Sequence, residues 1–292
     1  MSDNGHDPSF SVPVATPQPS RRRSPIPIAI IAALFIIASF FTWYGNWFGR
    51  ELSDEDIGKY LEESTKPRHV QHALIQIGER LAKGDRSVKR WYPQVVASAS
   101  NSEAEIRLTA AWLMGHDNQA EEFHRALTQL LADSDPIVRR NAALSLVTFQ
   151  DAHGQKEIRA ILQPYSVAAP GEGTVNSTLA VATPVKRGSL LARIQTSASQ
   201  NYELRSPVSG RIASVAVSEG NQVAAGEKLF TIAPDSESVW EALRALYLIG
   251  DREDLKDVER YAQEGVAGMP PNIKQQATLT AQAIESRSQN VR

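Results

Sequence analysis

The sequence predicts an α+β multidomain chain: a single transmembrane helix, an array of repeated helices, and a β-domain of two quasi-symmetric halves that interrupts the array. Three observations carry this. No charged residue occurs from Ser24 to Gly49. Apolar residues between Glu51 and Tyr165 recur at helical spacing, and the pattern returns after Pro234. Between Ala169 and Ile232 a short pattern occurs twice. The boundaries that follow are 1–24 for a tail, 25–49 for the span, 50–165 for the first helices, 166–234 for the β-domain and 235–292 for the returning helices.

Composition narrows the functional classes. A net charge of −2 argues against a nucleic-acid binder working by phosphate neutralisation. Zero cysteines exclude disulfides, thiolate metal sites and cysteine nucleophiles. Met1 to Ser20 is rich in Pro, Ser, Asp and Asn and has too few apolar residues to bury a core, so it is predicted to be a disordered tail.

The run from Pro25, PIPIAIIAALFIIASFFTWYGNWF, is long enough to cross the ~30 Å hydrocarbon layer as a helix. Pro25 and Pro27 stand at its start, where missing amide donors cost least, and Trp43, Tyr44 and Trp47 cluster at its far end as interfacial aromatics do. Arg21, Arg22 and Arg23 precede the run and an acidic stretch follows it, which puts the tail in the cytoplasm and everything after Arg50 in the periplasm or outside the cell. The rival reading is a cleaved signal peptide. The bulky aromatic end lacks a small-x-small site, so a retained signal anchor in the inner (cytoplasmic) membrane is expected.

Glu51 to Tyr165 reads as consecutive amphipathic helices. Asp54, Glu55 and Asp56 open one, and Pro67 is expected to end it. Val70, Leu74, Ile77 and Leu81 recur at helical spacing until Gly84. In LLADSDPIVRRNAALSLVTF, Asp133 or Asp135 can cap a helix whose first turn holds Pro136 and whose one face carries Val138, Ala142 and Leu146. This segment, with its acidic turn, Val-Arg and Ala-Ala pair, resembles the second helix of a HEAT repeat. A weaker copy runs from Ser102 to Gly115, and its Arg107 lies 32 residues before Arg139. After Pro234, Val239 to Gly250 echoes Ala110 to Gly115, and two more helices are expected at about 253–264 and 272–286. The array is therefore predicted to be interrupted by an inserted domain.

Within that insertion, Ala169-Pro170-Gly171-Glu172-Gly173-Thr174-Val175 reappears as Ser206-Pro207-Val208-Ser209-Gly210-Arg211-Ile212. Val185, Gly188, Leu191 and Ile194 are matched by Val223, Gly226, Leu229 and Ile232, so the offset is 37 residues at first and 38 later. Short Val/Ile/Leu/Thr runs broken by Gly and Pro read as strands. The paired halves resemble the biotinyl/lipoyl domain, a flattened β-barrel of two quasi-equivalent four-stranded halves, which also has a membrane-bound branch of periplasmic adaptor (membrane-fusion) proteins. The resemblance implies a modified lysine at the tip of the hairpin joining the halves. That position falls near Ser199, and the only lysines of the domain, Lys186 and Lys228, lie elsewhere. No biotin or lipoate is therefore predicted, since acylation needs an amine. Gln195 to Glu203 has room for a tight hairpin only and none for the long helical hairpin of efflux adaptors.

Catalytic signatures are missing: there is no Gly-x-Ser-x-Gly elbow, no phosphate-binding loop and no His-Glu-x-x-His. His69 and His72 share a helix face, and His116, Asp117 and His124 lie near the end of one helix and in the next. Either set can hold a metal, but exposed or capping histidines are commoner, and no metal, cofactor or catalytic residue is predicted. Trp91, Tyr92, Trp112 and Trp240 are assigned to the core between helices. The expected function is that of a non-enzymatic, single-pass scaffold or accessory protein of the cell envelope, docking other proteins through its HEAT-like repeats and unmodified lipoyl-like domain. The alternative is an adaptor subunit of an efflux or secretion transporter. Neither reading includes a nucleic acid or a small-molecule substrate.

Overall fold

Ser53 opens the helical region, its hydroxyl accepting from the Asp56 amide at 3.1 Å. Asp54, Glu55 and Asp56 then place negative charge at the positive end of α1 (Asp54–Glu62). The structure, a computed structural model, describes residues 51–63, 65–196, 201–263, 266 and 268–290. Pro67 does not end α1; it starts α2 (Pro67–Ala82), because a first turn has no use for its missing amide proton. Then come α3 (Tyr92–Ser98), α4 (Ala104–Met114), α5 (Glu121–Leu130), α6 (Pro136–Leu146) and α7 (Gln155–Ile161). Beyond the β-domain lie α8 (Ser236–Ile249), α9 (Leu255–Ala262) and α10 (Pro271–Asn290).

The helices pack in pairs, α1 with α2, α3 with α4, α5 with α6, α7 with α8 and α9 with α10. The second members line up, α2 on α4 on α6 and α8 on α10. One core gathers Ile57, Leu74, Ile77, Leu113, Phe123 and Leu127; a second joins Ile158, Ile161 and Leu162 of α7 and its end to Val239, Leu243 and Leu246 of α8. The β-domain thus interrupts a single helix pair, and the pair closes across it. Trp91 is buried in the first core as expected, whereas Trp112 is 37 % exposed, its ring covering Gly78 of α2.

Four successive turns of the array are built alike. The side-chain oxygens of Asp85, Asn101, Asp117 and Asp133 each accept the backbone amide two residues on, at 2.8–3.2 Å. These positions are sixteen residues apart, half of the 32-residue offset between Arg107 and Arg139. Those two arginines are equivalent: each Nη1 grips the carbonyls six and five residues upstream, Asn101 and Ser102 at 2.9 Å for Arg107, Asp133 and Ser134 at 2.8 and 3.3 Å for Arg139. Asp135 is the residue that caps α6, accepting from Ile137 at 2.8 Å.

No helix among the described residues is long and apolar enough to cross a membrane. The single-pass fold and the inner-membrane placement expected from the sequence are corrected to that extent: the described helices supply no membrane span. The longest described helix, the 20-residue α10, carries Lys274, Glu285 and Arg287 and several glutamines, so its composition is that of a helix with a watered face. The run 25–49 that carried the expectation lies outside the described residues.

The β-domain holds β1 (Tyr165–Ala168), β2 (Gly173–Thr178), β3 (Pro184–Val185), β4 (Leu190–Gln195), β5 (Asn201–Arg205), β6 (Gly210–Val215), β7 (Gln222–Val223) and β8 (Lys228–Pro234). They form two four-stranded sheets, in the orders β1-β8-β6-β3 and β5-β4-β2-β7. The closed flattened barrel expected from the sequence is therefore corrected to two open sheets over a shared core. The edge strands β3 and β7 are only two residues long, and Pro184 has no amide to offer a further ladder. Advancing every strand number of one sheet by four generates the other sheet, so the duplication is real at the level of topology.

Hydrogen bonds repeat across the halves as well. Gly188 donates to the Ser206 carbonyl at 2.7 Å and Gly226 to that of Ala169 at 2.8 Å. Leu179 donates to Leu191 at 2.9 Å, and Ala216 to Leu229 at 2.8 Å. Ala182 donates to Ile212 and Gly220 to Val175, both at 2.8 Å. The step from 37 to 38 falls between Leu179/Ala216 and Ala182/Gly220, where the second half has one more loop residue.

Candidate docking site

The hairpin joining the halves is set by the β4–β5 ladder, which runs out to the pair Gln195–Asn201. Arg193 and Glu203 face each other two steps in, their charges 3.5 Å apart, and Arg205 also bonds Glu203. The guanidinium of Arg205 is the main reason the Glu203 carboxyl lies below its ordinary pKa. Tyr202 donates to the Gly171 carbonyl at 2.8 Å, tying the hairpin to the turn that opens β2. Ser199, the position corresponding to a carrier lysine, lies outside the described residues. Lys186 is exposed in the β3–β4 turn and Lys228 opens β8 beside Ala168, so neither stands on this hairpin.

The domain is fastened to the helices by charge and by packing. Arg187, in the β3–β4 turn, reaches Glu105 of α4 at 2.7 Å and Asp135 at the cap of α6 at 3.2 Å. Ile137 of α6 packs against the β-domain core, and the Arg140 guanidinium lies 5.4 Å from the centre of the Tyr165 ring. The two ends of the domain are neighbours, since Tyr165 pairs with Ile232 across β1 and β8. Below them, Tyr261 of α9 donates to the Leu162 carbonyl at 2.7 Å, and Gln155 of α7 meets Asp254 at 2.5 Å. Nothing in the sequence marks Arg187 as a fastener; the signal is a cation in a turn whose partners lie 52 and 82 residues away.

The histidines do not converge as sequence spacing allowed. Asp117 is buried, accepts from Tyr92 at 2.7 Å and pairs with Lys89 at 3.2 Å, while His116 turns back to the Trp112 carbonyl. His124 bonds Asp151 at 2.6 Å, and His153 takes the other oxygen of the same carboxylate at 2.5 Å. His69 pairs with Glu63 and stacks on Tyr60, and the buried Nε2 of His72 has no hydrogen-bond partner among the described residues. Among the described residues no group of His, Asp or Glu side chains is arranged to hold a metal ion.

A family model described as "Biotin-requiring enzyme" matches residues 165–232. That stretch is a biotin/lipoyl-type domain, and the match leaves out the helices on both sides. Among solved structures, a single-chain, multi-domain long-chain acyl-CoA carboxylase is 21 % identical over 47 % of this chain, with a TM-score of 0.23. The matched region spans 14 % of that carboxylase. No curated protein matches the chain.

Proposed function

We propose that the chain is a non-enzymatic accessory or scaffold protein, in which a biotin/lipoyl-type domain without an attached group serves as a fixed docking head on an array of helix pairs. The observation that carries this is the Arg187 fastening to Glu105 and Asp135. A carrier domain must move its cargo between sites, whereas this one is bolted to α4 and α6 and rooted inside a helix pair. The sequence from Leu190 to Arg205 also contains no lysine to acylate. The array's likeness to HEAT repeats rests on the matched grips of Arg107 and Arg139 and supports the scaffold reading. The link between β4 and β5 is five residues long, which weighs against an adaptor that reaches a transporter partner through a helical spike.

The test has two parts. Intact mass of the protein from its native cells is expected to equal that of the bare polypeptide; a biotinyl or lipoyl increment would overturn the reading. Photo-crosslinkers at positions 193 and 203 are expected to trap one protein that a crosslinker at Lys256 does not, with capture through position 203 lost in Arg193→Glu. Equal capture from both faces would remove the hairpin as the docking surface.

A further inference from the structure

Where the β-domain leaves the helices, α6, the end of α7, β1, the β5–β6 turn, the end of β8 and the start of α8 enclose a cleft of about 150 Å³. One part of its wall is apolar, with Ile137, Leu144, Ile161, Val208 and Ile232, and the rest is polar, with Asn141, Gln163, Ser209 and Ser238 beside the charged groups. An apolar cavity of roughly this volume holds a six-membered ring. Two arginines line it, and they differ. Arg187 is neutralised by Glu105 and Asp135. Arg140 makes no ion pair among the described residues: its nearest acceptor is the Ala160 carbonyl at 3.5 Å, and its other neighbour is the Tyr165 ring. Glu157 acts on it only at longer range, since that carboxylate is held by Arg139 at 3.2 Å. Removal from water pulls the Arg140 pKa down, so the cation stands at the cleft without the counter-charge that half-buried arginines ordinarily find.

A guanidinium offers five donors in a planar fork that matches a carboxylate or a phosphate, and the apolar wall beside it suits the carboxylate, which can carry an apolar body into a space of this size. Glu241 of α8 also lines the cleft. Desolvation first, then Glu237 and Asp235, push its carboxyl above the ordinary range. With Arg187 already neutralised, Arg140 leaves the cleft one cation to match, and so one negative charge. We propose that this cleft is a binding site for a small monocarboxylate bearing a ring or a short branched chain, its carboxylate on Arg140 and its apolar part among Ile137, Leu144 and Val208. The site stands independently of the docking reading, since its evidence is the cleft and not the hairpin.

The probe is benzoate, titrated calorimetrically into the full chain beside benzyl alcohol, its neutral isostere, and phthalate, a dianion of similar width. Benzoate is expected to bind saturably and benzyl alcohol about tenfold or more weakly, the range for loss of one charge-assisted hydrogen-bonded contact. Phthalate is expected to bind more weakly than benzoate because its second charge finds no cation, and tighter binding of phthalate would overturn the monocarboxylate assignment. Arg140→Gln is expected to weaken benzoate by the same factor and leave benzyl alcohol unchanged, and Arg140→Lys to fall between. Absence of saturable benzoate binding, equal affinity for the alcohol, or full affinity in Arg140→Gln would each overturn the proposal. Should Arg140→Gln fail to fold by circular dichroism, the comparison of benzoate with benzyl alcohol on the unaltered chain decides the matter.

Discussion

Arg107 and Asp133 are joined by two parallel hydrogen bonds, Nε to Oδ2 at 2.6 Å and Nη2 to Oδ1 at 2.8 Å, across the gap between α4 and the turn that precedes α6. Both side chains are largely buried, 13 % and 7 % exposed. The same Asp133 then lends its backbone carbonyl to Arg139, so one residue links two successive helix pairs. Removing the guanidinium leaves a buried carboxylate without its partner, which costs about 3–5 kcal/mol in such settings. Arg107→Ala is expected to lower unfolding stability by that amount in urea titrations. Arg139→Ala, whose Glu157 partner is partly exposed, is expected to lose about 1–2 kcal/mol.

The acid side of the stability curve tests the same pair. Arg107 holds the Asp133 carboxyl below its ordinary 3.8, outweighing burial, with help from the Asp135 amide. A depressed pKa contributes stability that is present above 3.8 and is lost as pH falls through the lower native value. The wild-type chain is thus expected to lose stability below that point more steeply than Arg107→Ala. Parallel curves for the two proteins would count against the pair as the cause.

At one equivalent position the two halves of the β-domain share a left-handed backbone but not the residue. Gly220 has φ +85°, as its turn requires, while the equivalent Ala182 sits at +67°. For a residue with a Cβ the left-handed region costs about 1–2 kcal/mol, and glycine's extra freedom in the unfolded chain gives back up to about 1. Ala182→Gly is expected to stabilise the protein by about 0.5–1 kcal/mol, and Gly220→Ala to destabilise it. Thermal midpoints of the two variants should move in opposite directions.

Gly173 and Gly210 open matching strands under matching crowding. A Cβ at Gly173 would stand 2.6 Å from the Gln195 carbonyl oxygen, and one at Gly210 would stand 2.1 Å from that of Ala233. Backbone has nowhere to yield at that distance, so Gly173→Ala is expected to loosen the β2–β4 ladder at a cost of about 1–3 kcal/mol. Amide exchange should rise in β2, β4 and β5 while the helices keep their protection. An equal rise in α4 and α6 would mean that the fastening through Arg187 transmits the damage.

What the residues disclosed in advance follows from what is local. The doubled motif specified the sheet topology, because strand order repeats whenever both copies fold alike. The helix starts at Asp54 and Pro136 were legible because caps act within a few residues. The sixteen-residue recurrence of Asp85, Asn101, Asp117 and Asp133 is hard to read from sequence, because a lone Asp or Asn in a loop is unremarkable until its neighbours keep the same interval. The seam was hidden for a different reason: Arg187 and Arg140 gain their roles from elements far along the chain, and no periodicity records such contacts. The size of Trp112 predicts burial, but its place in the stack leaves it partly exposed against Gly78.

Asp254 gives the opposite pH signature to Asp133. It is fully buried at the entry to α9, accepts from Gln155 at 2.5 Å and from the Asp251 amide at 3.0 Å, and stands 3.7 Å from Arg159. Burial dominates and raises its carboxyl above 3.8 despite those bonds. Between the ordinary and the raised value the native state holds a proton that the unfolded state has released, so stability falls as pH rises through that window. The windows do not overlap, since the Asp133 window lies below 3.8 and the Asp254 window above it. Asp254→Asn keeps the shape and an acceptor but cannot ionise, and it is expected to flatten the decline above 3.8 while leaving the acid-side loss intact. Urea unfolding of both proteins across that range measures it; a decline that persists unchanged in the variant would mean that another buried group is titrating.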